Sequence, residues 1–188
     1  MELDIAKLED VSCLSDFRCG IPEMDKFIRE GLGTSVFHHY CQAYKVSLDA
    51  QVIALFALSF DSLNLDVDDK NDMLAGYSIS RPPRLLTDYK DIFFNKPHYP
   101  ALEITYLAVD ERFGRQGIGR IIVEAILEKA QNQDLAGCQF LTVEALHTHE
   151  YSAVGFYEKC GFSPCDYPNP NKDTLRMFRT LYPERRVL

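Results

Sequence analysis

The sequence predicts a mixed α/β domain over residues 1–188, with helices packed on a central sheet. Three observations lead to this fold class. The length is that of about one domain. The composition, 46% hydrophobic and 26% charged, is that of a globular protein. Finally, the apolar patterning gives the order helix, hairpin, long polar connection, strand, glycine-rich turn, helix, strand, helix, strand.

The N-terminal part is predicted to hold two helices and a hairpin. Apolar side chains recur at helical spacing over about 22–32, and a second short helix follows over 36–40. From residue 43 the pattern becomes strand-like. The β-rich runs 43–48 and 51–60 are separated by two residues, which is typical of a hairpin.

Residues 61–100 form a long polar connection, which we interpret as an insertion within the domain. The first fifteen residues carry five carboxylates against Lys70, which is −4, half of the net charge of −8. A calcium-binding loop is excluded because Lys70 stands where an oxygen ligand is needed. The run therefore predicts a solvated loop or a short surface helix. An insertion this long often serves as a lid or an interface.

The C-terminal half is predicted to contain three strands and two helices. The strands are 101–109, 138–146 and 174–181. A helix follows the glycine-rich turn after the first of them, and a short helix over 152–160 precedes Gly161.

The turn between strand 101–109 and its helix is a candidate phosphate site. Glycine lets a backbone approach a ligand closely, and the first turn of a helix leaves N–H groups unpaired beside a partial positive charge. These features meet from about Arg115 to Arg120. A turn shaped by glycine without any ligand is equally compatible with Gly-x-Gly alone. The dinucleotide-binding fingerprint fails, since no third glycine follows at the required spacing.

Two segments together resemble the Gcn5-related N-acetyltransferase (GNAT) superfamily. The strand Leu102–Val109 leads into a loop in which Gly117 and Gly119 match the motif Gln/Arg-x-x-Gly-x-Gly/Ala. Gly114 stands at the Gln/Arg position, which is a departure from that motif. The second segment, 153–162, is similar to Ala-x-x-Phe-Tyr-x-x-x-Gly-Phe of the same superfamily.

This resemblance implies direct transfer of an acetyl group from acetyl-CoA to an amine in a ternary complex, with no metal. It also implies a mixed central sheet with two splayed parallel strands and helices on both faces. Leu107 and Val109 become the main-chain partners of the pantetheine arm. The pyrophosphate would be held by the loop residues Arg115, Gln116, Gly117, Ile118, Gly119 and Arg120.

Two catalytic candidates follow from the same resemblance. Tyr157 stands where the family commonly places the tyrosine that protonates the departing thiolate; the alternative is a core aromatic beside Phe156 and Phe162. Glu103 lies fourteen residues before Gly117, where some members carry a general-base carboxylate. A salt-bridged Glu103 with a water relay as the base is the alternative.

The stretch 17–28, with Leu107–Val109, is similar to GNAT toxins of toxin–antitoxin pairs, which acetylate charged tRNA and are neutralised by a DNA-binding partner. The acidic net charge counts against a nucleic-acid substrate. The C-terminal segment offers some basic side chains: Lys172, Arg176, Arg179, Arg185 and Arg186.

Other acceptors and classes stay open. The acceptor is otherwise a small-molecule or peptide amine, and the acidic insertion would favour a cationic one. A non-catalytic acyl-CoA-binding module is the third hypothesis, and a homodimer is not excluded. We expect a cytoplasmic protein with six reduced cysteines, because the sequence shows neither a signal peptide nor an apolar run near the ~20 residues of a membrane span.

Overall fold

The computed structural model describes residues 3–79, 87–165 and 172–181. It contains a mixed seven-stranded sheet in the order β1-β2-β3-β4-β5-β7-β6, which confirms the predicted α/β class. The strands are β1 (Asp4–Lys7), β2 (Gln42–Leu48), β3 (Gln51–Leu63), β4 (Tyr99–Val109), β5 (Phe140–Leu146), β6 (Ser163–Pro164) and β7 (Thr174–Thr180). The α-helices are α1 (Pro22–Glu30), α2 (Leu32–Phe37), α3 (Val67–Ala75), α4 (Thr87–Asn95), α5 (Ile118–Asn132) and α6 (Val154–Lys159).

The chain divides into two compact units, 1–59 with 104–123, and 60–103 with 124–188. The single acetyltransferase domain over 1–188 stays a prediction. In the first unit, β2 and β3 form the expected antiparallel hairpin. Asp49 and Ala50 make its turn with positive φ angles of 48° and 66°, as hairpin turns that follow the twist of the strands require.

The first unit differs from the prediction at two places. Strand β1 pairs antiparallel with β2 and was not predicted, because four residues carry too little periodicity to be recognised. The second helix is α2 (Leu32–Phe37) rather than 36–40. It ends there because His38 leaves helical geometry and His39 takes a left-handed φ of 59°.

In the second unit, β5 pairs along its whole length with β7, antiparallel. Its other neighbour is β4, to which it is parallel, and this ladder joins Ala101–Glu103 to Phe140–Thr142. Strands β4 and β5 have 11 and 7 residues, so the parallel ladder ends before either strand does. An aromatic core in which Tyr99, Phe140 and Phe178 contact one another fixes this part of the sheet.

The 61–100 segment is more structured than a solvated loop. Strand β3 continues to Leu63, and a capping box between Asp66 and Asp69 starts α3, so two of the five carboxylates stabilise a helix N-terminus. Lys70 is buried, and its Nζ donates hydrogen bonds of 3.0 Å to the carbonyls of Phe94 and Lys96. The prediction of a short surface helix agrees with α3, most of whose residues are exposed, although one face of it, with Asp69, Lys70 and Met73, is buried.

The sequence also predicts a break at Arg81-Pro82-Pro83 and a proline-containing loop over Asp166–Asp173. The break, most of that loop and the cations Arg185 and Arg186 lie outside the described residues. In the described part of the chain, the helices are too short or too polar to cross a membrane.

Candidate functional site

The predicted phosphate loop follows β4 in the first unit. After Asp110, one turn of 3₁₀ helix over Glu111–Phe113 leads to Gly114, and α5 starts at Ile118. Two residues between them have left-handed φ angles, Arg115 at 60° and Gly117 at 81°. Left-handed residues next to right-handed ones are typical of anion-binding nests, and the N-terminus of the 15-residue helix α5 adds its dipole.

The side chains of this loop divide into exposed and anchoring ones. Arg115, Gln116 and Arg120 are exposed and free to reach a phosphate, whereas Ile118 is buried and anchors the first turn of α5. Gly119 is partly buried. The loop thus offers backbone donors and two guanidinium groups, which fit a pyrophosphate.

The end of β4 carries the two predicted pantetheine partners. Leu107 and Val109 are partly buried, while Ala108 between them is buried in the core of the first unit. This alternation places Leu107 and Val109 on the face of the strand opposite to Ala108.

Replacing Gly117 by alanine should weaken acetyl-CoA binding about 3–10-fold. The new Cβ would meet no atom within 4 Å, so the effect comes from the φ of 81°, which an L side chain adopts at a cost of about 1 kcal/mol. Gly137→Ala is the matched control, because its Cβ also meets nothing and its φ lies outside the left-handed region. Calorimetric titration with acetyl-CoA measures both; equal affinities would contradict the role of this turn.

Tyr157 lies in α6 of the second unit and is 6% exposed. Its ring contacts Phe156 and Phe162 edge-on, at centroid distances of 4.9 and 5.4 Å. Burial, with smaller contributions from Cys160 and Tyr151, raises the pKa of Tyr157 well above its ordinary value. The side chain therefore stays protonated and has a proton to give.

Glu103 lies on β4 in the second unit, with its side chain 21% exposed. Its carboxylate is 4.0 Å from the guanidinium of Arg176 on β7. Glu103 is therefore salt-bridged, as the alternative interpretation expects. Its role as a base stays a prediction.

Arg176 also joins two further carboxylates, which the sequence did not identify as neighbours. It forms ion pairs with Asp61 of β3 and with Glu144 of β5, the latter at 2.9 Å. Thr142 donates to Asp61, and Thr174 donates to Glu144. We define these five residues with Glu103 as the Arg176 network. The sequence signal that could have revealed Asp61 as part of this group is the alternating strand pattern, which continues beyond residue 60.

Burial opposes a charge on Arg176, but the attraction of Asp61 and the hydrogen bond to Glu144 outweigh it and raise the pKa of the guanidinium. Arg179 is likewise paired, with Glu124 at 2.9 Å. Two of the described cations of the C-terminal segment are therefore engaged inside the second unit, and Lys172 alone of the described three is exposed.

The described histidine and cysteine side chains show no sign of a further reactive centre. Nδ1 of His147 is 2.9 Å from Oγ of Ser152. All six cysteines are free, and burial raises the pKa of Cys41 and Cys138 and that of Cys19 to about 12. Within the residues that the structure describes, no three His, Cys, Asp or Glu side chains are grouped to hold a metal ion.

Comparison with known families supplies the decisive observation. The model of the acetyltransferase (GNAT) family matches residues 34–162, more than half of the chain. The chain belongs to the GNAT acetyltransferase family. It is thus an acyltransferase, and acetyl-CoA is the cosubstrate, as the sequence predicts. A search of curated protein sequences finds no significant match.

Solved structures of similar fold include two acetyltransferase toxins. AtaT complexed with acetyl-methionyl-tRNAfMet is 21% identical, with a TM-score of 0.64 over 93% of this chain and 94% of that one. A tyrosine-to-phenylalanine mutant of KacT is 21% identical, with a TM-score of 0.67 over 96% of each chain. A mutant AtaT toxin bound to the C-terminus of the antitoxin AtaR and acetyl-CoA is 19% identical, with a TM-score of 0.64 over 96% of this chain and 94% of that one. The expected likeness to the toxin branch is confirmed at the level of fold.

Proposed function

We propose that this GNAT protein is an acetyltransferase toxin that transfers the acetyl group of acetyl-CoA directly to the amine of an aminoacyl-tRNA. The observation that carries the proposal is the similarity, over nearly the whole of both chains, to AtaT complexed with acetyl-methionyl-tRNAfMet. The N-terminal stretch 17–28, which is similar to GNAT toxins of toxin–antitoxin pairs, also supports the proposal. An antitoxin is the expected protein partner, and the cytoplasm is the expected compartment.

The cosubstrate would be held by the first unit. The backbone donors near Gly117 and the guanidinium groups of Arg115 and Arg120 would hold its pyrophosphate. The main chain at Leu107 and Val109 would pair with the pantetheine arm. Acetyl-CoA supplies an activated thioester; the protein's task is to position it and to move two protons.

The chemical step would need an acid and a base. As the amine nitrogen forms its bond to the acetyl carbon, the carbon–sulfur bond breaks and the thiolate leaves. Tyr157 would donate its proton to that sulfur. Glu103, or a water molecule acting in its place, would accept the first proton of the attacking ammonium. The second proton leaves the nitrogen as the amide forms and would restore the Tyr157 hydroxyl.

The charge distribution favours the tRNA acceptor over a polycation. The acidic run at 61–75 is partly neutralised, because Asp61 pairs with Arg176, and Asp66 and Asp69 cap α3. The attraction of this run for a cationic amine is therefore weaker than its formal charge of −4 indicates. Arg115 and Arg120 are exposed around the phosphate loop and give a local positive potential, whereas the charge of Arg112 is balanced by Asp110.

The proposal is tested by incubating the protein with radiolabelled acetyl-CoA and a set of aminoacyl-tRNAs. Label should enter the aminoacyl-tRNA and be released by mild alkaline hydrolysis of the ester. Deacylated tRNA and free amino acids are the controls and should stay unlabelled. Labelling of a polyamine or a lysine peptide in preference to aminoacyl-tRNA would support the second candidate, a small-molecule or peptide amine acceptor. Acetyl-CoA binding without transfer to any of these would support the non-catalytic module.

A further inference from the structure

Asp110 follows the last residue of β4 and has a fully buried carboxylate, with 0% of the residue exposed. Burying a carboxylate is unfavourable unless hydrogen bonds compensate it. Arg112 provides most of them. Its backbone N–H donates to Oδ1 at 3.0 Å, and its guanidinium donates to both carboxylate oxygens at 2.8 Å. The hydrogen bond from Arg112 holds the pKa of Asp110 below its ordinary value despite burial.

Asp110 also joins a segment that is distant in sequence. The N–H of Arg18 donates to Oδ2 of Asp110 at 3.4 Å, and the carbonyl of Arg18 accepts the N–H of Glu111 at 2.8 Å. On its other side, the N–H of Asp110 donates to the carbonyl of Ile53 at 2.8 Å. The residue after β4 is therefore fastened to both β3 and the 18–20 loop.

The 18–20 loop is itself held by a second buried carboxylate, Asp25 of α1, which is 8% exposed. Asp25 accepts the N–H groups of Cys19 at 2.7 Å and of Gly20 at 3.3 Å. Gly20 has a φ of 82°, and a Cβ there would be 3.4 Å from the carboxylate of Glu111, so the loop lies close against the turn after β4. We call Asp25, the 18–20 loop and Asp110 the carboxylate clamp.

The clamp ends at Asp110, five residues before a strained part of the chain. Arg115 is not glycine, yet it has a φ of 60°. Strained conformations persist when the surrounding structure over-determines them, and the clamp fixes the point at which this loop begins. All of these contacts lie in the first compact unit.

We infer that Asp110 is a positioning residue for acetyl-CoA: through the clamp it pre-organises the 114–117 turn whose N–H groups receive the pyrophosphate. This rests on the proposed cosubstrate site and extends it by a residue that touches no ligand. It also assigns a structural role to the N-terminal stretch 17–28, because the 18–20 loop lies within this stretch and forms one side of the clamp.

The test is Asp110→Asn, which keeps the size of the side chain and weakens the pairing with Arg112. The acetyl-CoA Kd, measured by calorimetry, and its KM should rise about tenfold, with kcat and the acceptor KM changed less than twofold. Asp10→Asn is the matched control, since Asp10 is also an aspartate of the first unit that accepts a backbone N–H, from Ser12. It should leave all four constants unchanged.

Two further measurements keep the outcome decisive. If Asp110→Asn folds poorly, Arg112→Met serves in its place, because it removes the same ion pair by changing the exposed partner. It should also raise the acetyl-CoA Kd. Asp25→Asn combined with Asp110→Asn should raise the Kd by less than the product of the single effects, because both act through one loop. A folded Asp110→Asn protein with wild-type Kd overturns the inference. Failure of the wild type itself to bind acetyl-CoA would overturn the proposed function instead.

Discussion

Replacing Tyr157 by phenylalanine should lower kcat by about 10²–10³-fold, which lies within the 10²–10⁴-fold that a positioned general acid contributes. The change removes one hydroxyl from a side chain that is buried between aromatic rings, so the packing of α6 should persist. Without the hydroxyl, the thiolate would leave unprotonated, and the barrier would rise by about 3–4 kcal/mol. The affinity for acetyl-CoA should change less than twofold.

The control is Tyr77→Phe, because Tyr77 belongs to the same unit and is 82% exposed. It should keep the wild-type kcat. In cells, expression of the wild type should arrest growth and that of Tyr157→Phe should not. A Tyr157→Phe protein with wild-type kcat would show that Tyr157 is only a core aromatic, the alternative that its contacts with Phe156 and Phe162 allow.

The pH dependence gives an independent check on Tyr157. Because burial raises its pKa above the ordinary value of about 10, the acid form persists over pH 6–9. The kcat profile should therefore show no loss from this group up to about pH 9. A decline whose midpoint lies below pH 9 and disappears in Tyr157→Phe would contradict the raised pKa of Tyr157, although it would still identify Tyr157 as the acid.

The sequence predicts best where one local pattern decides the structure. The hairpin turn at Asp49-Ala50, the glycine loop before α5 and the short helix α6 all lie where propensity and spacing place them. The family motifs are local in the same sense. Each is a continuous segment, so the loop residues around Gly117 and the position of Tyr157 in a helix follow from reading along the chain.

The sequence predicts least where distant residues meet. Asp61 was counted as one charge of a polar run, yet β3 extends to Leu63 and brings it to Arg176, which is 115 residues away. The contacts of Asp110 were not predicted for the same reason, because its partner Arg18 is 92 residues away in the sequence. Strand register and loop closure decide these contacts, and neither is encoded in a short window.

Replacing Arg176 should destabilise the fold strongly. Its side chain is 20% exposed, and those of Asp61 and Glu103 are exposed by similar fractions. Removing one partner of a largely buried ion pair leaves the other charge uncompensated, which costs about 3–5 kcal/mol when burial is complete. Because solvent still reaches this network, we expect Arg176→Met to lower the free energy of unfolding by about 2–4 kcal/mol in urea denaturation. Lys129→Met, at an exposed position of α5, should change it by less than 0.5 kcal/mol.

The physical cause can be separated from a simple loss of packing. If repulsion among the three carboxylates dominates, adding Glu144→Gln to Arg176→Met should recover about 1 kcal/mol or more, because glutamine keeps the oxygen that accepts from Thr174 and removes a charge. In the wild-type background, Glu144→Gln should instead be destabilising, since Arg176 loses the partner at 2.9 Å. This reversal of sign is the specific expectation. Glu144→Gln with the same destabilising effect in both backgrounds would mean that Arg176 acts by filling space between β3, β5 and β7, and that its charge contributes little to the stability of the second unit.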